Sequence, residues 1–160
     1  KKISYRDFII NILSNNKKWE EAQKVFEELG QSGKTGYKTL AKMELADLFM
    51  EQGKKEEALK TWEKTIHSTK TTDPMHYVAL ISYAGYQVET GNPDEMLKML
   101  KPALDNPQFQ GLATEVAVLF LVRQNQKQKA KELIQIALLN PNISEEGRAR
   151  LTNLTQTVEN

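Results

Sequence analysis

The chain has no cysteine, so neither a disulfide framework nor thiolate chemistry operates in it, and the redox compartment stays open. No apolar run approaches the ~20 residues that cross a bilayer as a helix. An excess of either charge is missing too. The 22 basic and 21 acidic residues are interspersed and leave +1, which argues against the concentrated basic face of a nucleic-acid binder. His67 and His76 are the only histidines, and with no histidine at i+4 and no cysteine they assemble no metal site. Alternation of polar and apolar residues fails everywhere over a useful length, so no strand pattern competes with helix. Gly30 to Gly36 lacks the spacing and the preceding strand of a phosphate loop. No nucleophile, base and orienting group can be put together, and the chain reads as a non-enzyme without cofactor or metal.

What is present is a repeat. MEQGKKEEALKTWEK, VETGNPDEMLKMLKP and VRQNQKQKAKELIQI share one register, with an earlier half-copy in LSNNKKWEEAQKVFEEL. A small-residue column reads Ala22, Ala58, Met96 and Ala130, at offsets of 36, 38 and 34 residues. Four residues further on stands a bulky column, Phe26, Trp62, Leu100 and Ile134. Twelve residues before the small column, in the preceding helix, stand Ala46, Ala84 and Val118. A period in the mid-thirties with two helices per unit is the signature of a solenoid of helical hairpins.

The punctuation agrees. Gly53 offers the positive φ that a tight helix stop requires. Asp73-Pro74 and Asn92-Pro93 each place a capping side chain before a proline at the first helical position. From Pro74 a helix is expected to run through Ala84 and Val88 to Gly91, and Pro102 is expected to kink the next helix or end it early. Asn106-Pro107 and Asn140-Pro141 close successive pairs. Ser144 opens a last helix, with Ala149, Leu151, Leu154 and Val158 as its candidate contacts. The expected organisation is one all-α domain over 1–160, with a leading hairpin 1–30, repeat units 35–72, 73–107 and 110–141, and a capping helix 144–158.

Close approach of antiparallel helices needs a small side chain on one to admit a larger one from the other. Leu45, Ala46, Phe49, Gly53, Ala58 and Trp62 supply that pattern, and it resembles the tetratricopeptide repeat. That resemblance implies a right-handed solenoid of about four helical hairpins plus a C-terminal capping helix. The later units depart from consensus. Tyr83, Gln87 and Met96 replace a leucine, an aromatic and a small residue in the second, and Val118 and Asn125 replace alanine and glycine in the third. A methionine at a tight crossing is expected to widen the local spacing.

The order of blocks also resembles a narrower family, the tetratricopeptide-like periplasmic domain of the ancillary SecYEG translocon subunit and its alphaproteobacterial relatives. The blocks are a short leading hairpin, GYKTLAKMELADLFMEQGKKEEALKTWE, Asp73-Pro74, NPDEMLKMLKPAL and LLNPNISEEGRARL. This resemblance implies an N-terminal membrane helix before Lys1, a bacterial periplasmic location on the inner membrane, and assistance to envelope proteins leaving the translocon beside a periplasmic chaperone. A chain starting Lys1-Lys2 without methionine fits an excised segment of such a protein. A cytoplasmic tetratricopeptide scaffold or peptide-recognition module is the alternative.

By repeat position, the resemblance places Leu40, Met43, Asp47 and Met50 of the first unit on a concave protein-binding face. Val78, Ile81, Gly85 and Val88 follow from the second unit, and Leu112, Glu115, Leu119 and Val122 from the third. The face is apolar and lacks the basic array that clamps a carboxylate terminus. It suits a hydrophobic helix or unfolded segment of a protein partner. The competing expectation is that the terminal helix covers this groove as ordinary core.

Overall fold

The computed structural model describes residues 35–160, with side chains from residue 41 onward. The expected leading hairpin, with Ala22 and Phe26 in its repeat columns, lies outside the described residues. Seven helices make up the described chain: α1 (Thr35–Glu51), α2 (Lys55–Ser68), α3 (Pro74–Gly85), α4 (Pro93–Leu104), α5 (Gln110–Arg123), α6 (Lys127–Leu138) and α7 (Glu145–Glu159). The all-helical class expected from the periodicity is the one observed. The chain divides into two compact units, Lys1–Lys70 and Thr71–Asn160.

In the first unit α1 packs against α2 as a hairpin. Ala46, Ala58 and Trp62 are each 0% exposed, which is what the small and bulky columns require of a close crossing. Between the helices Gly53 has φ +75°, its N–H donating to Met50 O at 3.0 Å while Lys54 N–H donates to Phe49 O at 2.8 Å. These two bonds make a Schellman stop. The third helical repeat, within the second compact unit, builds the same stop without glycine. Asn125 has φ 59°, its N–H reaches Val122 O at 3.0 Å, and Gln126 N–H reaches Leu121 O at 2.8 Å. Asparagine tolerates this left-handed conformation better than other side chains do. Because nothing lies within 4 Å of a Cβ built on Gly53, only backbone conformation opposes a side chain there. Gly53→Ala is expected to cost about 1 kcal/mol and Gly53→Asn less, read as shifts of the urea midpoint; equal losses would mean that side-chain volume, not φ, decides.

In the second unit α3, α5 and α7 pack in succession as one layer, with α4 against α3 and α5, and α6 against α5 and α7. Three of the five helix starts, those of α3, α4 and α7, carry a side-chain cap. Asp73 Oδ1 accepts from Met75 N–H at 2.9 Å, Asn92 Oδ1 from Glu95 N–H at 3.1 Å, and Ser144 Oγ from Gly147 N–H at 3.1 Å. Ala84, Met96, Leu100, Ala117 and Phe120 form one buried cluster. Val118, Leu121, Ala130, Ile134, Ala137, Leu151 and Val158 form another. Leu97 and Leu133 pack against both and join them into a continuous core. Every described member of the three repeat columns is 5% exposed or less.

The second unit corrects several expectations. Helix α3 ends at Gly85 and does not run on to Gly91. Beyond it the bonds tighten to three-residue spacing, with Gln87 N–H donating to Ala84 O at 3.0 Å and Val88 N–H to Gly85 O at 3.5 Å. Tyr83 O, the ordinary helical acceptor for Gln87 N–H, takes the Gln87 side-chain Nε2 instead, at 3.1 Å. The same Nε2 lies 3.6 Å from Met96 Sδ. The two departures from consensus, Gln87 and Met96, thus meet, and Met96 stays 5% exposed within the core. A Cβ on Gly91 would lie 2.8 Å from Gln87 Cβ and 2.9 Å from Gln87 O, so this glycine is kept by close approach, not by positive φ. Arg123 then clamps the turn, donating to Val88 O and Gly91 O at 2.7 Å each.

Pro102 does not end α4, which continues to Leu104. Pro102 and Lys98 both lie exposed, so the carbonyl that proline leaves without a backbone donor is on the solvent side, where water replaces the bond. In α7, Leu151 and Val158 are buried as expected, but Ala149 is exposed and makes no core contribution.

Asn106-Pro107 and Asn140-Pro141 close their pairs by one device. Asn106 Oδ1 accepts from Gln108 N–H and Asn140 Oδ1 from Asn142 N–H, both at 2.9 Å, the turn that asparagine side chains form with backbone two residues on. Asn140 goes further. Its Nδ2 donates to Pro107 O and to Gln110 Oε1 at 2.8 Å each, binding the α6–α7 loop to the start of α5. Arg148 secures the same loop from α7, donating to Leu138 O at 2.6 Å and Asn140 O at 2.8 Å.

Candidate functional site

The candidate face divides unevenly between core and surface. Leu40 lies in α1 with its side chain outside the described residues, Met43 is buried, and Asp47 and Met50 are half-buried. Val78, Ile81 and Gly85 are half-buried on α3, and Val88 falls in the turn beyond it. Ile81 and Val88 pack against the cluster around Phe120, and Val122 packs against the one around Ile134. Leu112 and Leu119 differ. They stay 46% and 39% exposed on α5 although α7 packs beside that helix. The terminal helix therefore does not cover them.

Glu115 sits between those leucines, one helical turn from each. Arg150 of α7 donates Nε to Glu115 Oε1 at 2.7 Å and Nη2 to Oε2 at 3.4 Å. The Glu115 hydrogen bond and charge hold the arginine further into its charged range, with burial opposing and the charge of Glu146 adding least. Beside this pair opens a half-open pocket of about 260 Å³, between the first turns of α5 and α7. Gly111, Leu112 and Ile143 line one part of it, Ser144, Gly147 and Arg150 another. Ile143 is the wedge that spaces the two helices. Cβ atoms built on Gly111 and Gly147 would stand 3.3 Å and 3.0 Å from its side chain.

Sequence reasoning found Leu112 and Glu115 but not Ile143, Gly147 or Arg150. Arg150 lies 35 residues from its carboxylate partner, and no repeat column carries it.

A family model described as a tetratricopeptide repeat-like domain matches residues 11–156. The chain belongs to that family. No curated protein and no solved structure matches it. Tetratricopeptide repeat-like domains generally mediate protein–protein interactions and are generally non-catalytic. Among the described residues of this tetratricopeptide repeat-like domain, no helix is long and apolar enough to cross a membrane, and no group of three or more candidate ligands gathers for a metal ion.

Proposed function

We propose that this tetratricopeptide repeat-like domain is the periplasmic part of a membrane-anchored bacterial protein that assists envelope proteins at the translocon, binding apolar segments of protein partners. The observation that carries the binding reading is the pair of leucines, Leu112 and Leu119, left open on α5 of the second unit. Exposed apolar side chains grouped on one face are the ordinary mark of an interaction site. The location and the translocon link rest on the order of sequence blocks running from GYKTLAKMELADLFM to LLNPNISEEGRARL.

Leu119→Asp and Ile81→Asp separate surface from core. Leu119→Asp is expected to shift stability by no more than about 0.5 kcal/mol, as at other surface positions, while removing partner capture by a photo-crosslinker placed at position 112. Ile81→Asp is expected to unfold the second unit, because it presses a carboxylate on an apolar cluster. Crosslinking in cells followed by identification of the attached proteins checks location as well. Attachment to translocon or periplasmic proteins supports the reading, and attachment to cytosolic proteins alone rejects it. A stretch of about 20 apolar residues in the full-length protein, N-terminal to this domain, is the further expectation.

A further inference from the structure

The ion pair at the middle of the open face is unequally built. The Glu115 side chain is 19% exposed, and the Arg150 side chain that covers it is 51% exposed. Arg150 also feels the charge of Glu146, four residues earlier on α7, in the glutamate-before-arginine order that favours an i,i+4 pair on a helix. Arg150 is bonded to Glu115, and Glu146 stands one helical turn away on the same side of α7. If Arg150 turns to Glu146, Glu115 is left facing the pocket between two exposed leucines, with an uncompensated negative charge. The local balance suits one more cation.

We infer that the pocket between α5 and α7 takes a lysine or arginine of a protein partner, flanked in that partner by apolar residues, and that Arg150 is an internal occupant which such a residue displaces. The partner's cation pairs with Glu115, and its apolar neighbours lie on Leu112 and Leu119. Arg150 moves to Glu146. This deepens the proposed binding face by giving it a charge preference, and it rests on that face being open to partners.

The test uses the whole chain and two blocked peptides of alanine and leucine, one with a central lysine and one with norleucine in its place, titrated by fluorescence anisotropy. The lysine peptide is expected to bind at least ten-fold more tightly. Glu115→Gln should abolish that preference, whereas Arg150→Ala should strengthen lysine-peptide binding several-fold and Glu146→Gln should weaken it. A simple strap between α5 and α7 makes the opposite forecast, because Glu115→Gln and Arg150→Ala break the same ion pair and must then act alike. Thermal midpoints measured beside the titrations keep folding apart from binding, since both variants lose the same contact. Equal binding of the two peptides overturns the cation site and leaves the apolar face standing; binding of neither overturns both. Parallel losses in Glu115→Gln and Arg150→Ala overturn the displacement.

Discussion

Replacing Phe120 with alanine is expected to remove about 3–5 kcal/mol of stability, the range for truncating a fully buried aromatic. Phe120 is 0% exposed and sits among Ala84, Leu100 and Ala117, so one ring joins α3, α4 and α5. Two of its four buried cluster partners, Ala84 and Ala117, are alanines, whose short side chains cannot move in to fill the space. The cavity term therefore adds to the lost burial. Against a total of about 5–15 kcal/mol for a typical domain, this leaves the second unit close to unfolding at room temperature. Leu119→Ala, one residue away and 39% exposed, is the control and should cost less than about 1 kcal/mol. Urea titration followed by far-ultraviolet circular dichroism reads both. Similar midpoints for the two variants would contradict the assignment of Phe120 to the core.

Asn140→Ala should bring the second large loss, about 2–4 kcal/mol. The side chain of Asn140, a residue 9% exposed, serves Pro107 O, Gln110 Oε1 and Asn142 N–H together. Truncation removes three hydrogen bonds at once, each worth about 0.5–1.5 kcal/mol net. Asn140→Asp is the sharper variant. It keeps an acceptor for Asn142 N–H but turns a carboxylate oxygen toward the carbonyl of Pro107, replacing attraction by repulsion. It should be at least as destabilising as alanine. Hydrogen exchange at the Asn142 amide gives a local readout, since protection should fall in Asn140→Ala and persist in Asn140→Asp wherever the protein is folded. Unchanged stability in both would reduce the hub to an ordinary surface turn.

The hairpin architecture was legible because its signals are local or periodic. Ala58, Trp62, Leu100, Ala130 and Ile134 recur at spacings that geometry demands of close helix crossings, and all are buried. Asp73, Asn92 and Ser144 could be read as caps because a cap needs only the next turn of backbone. The errors fell where distant partners override local preference. Gln87 ends α3 early because its amide finds both Tyr83 O and Met96 Sδ. The turn that follows is held by Arg123, 32 residues beyond Gly91. Pro102 falls within the last turn of α4, and its cost there depends on whether the orphaned carbonyl is wet, which is a tertiary property.

The candidate face shows the same division. The segment LATEVAVLFLV in α5 is apolar nearly all round, so its pattern has no preferred side and cannot distinguish inward from outward residues. Sequence alone determined the all-helical class, the hairpin unit, the helix caps and the paired asparagine-proline stops. Only the tertiary structure decided that Phe120 and Leu121 go inward while Leu112 and Leu119 stay out, and that Arg150 reaches Glu115. The reason is physical: repeat spacing fixes which residues can meet within one hairpin, whereas exposure depends on which neighbouring helix arrives to cover them.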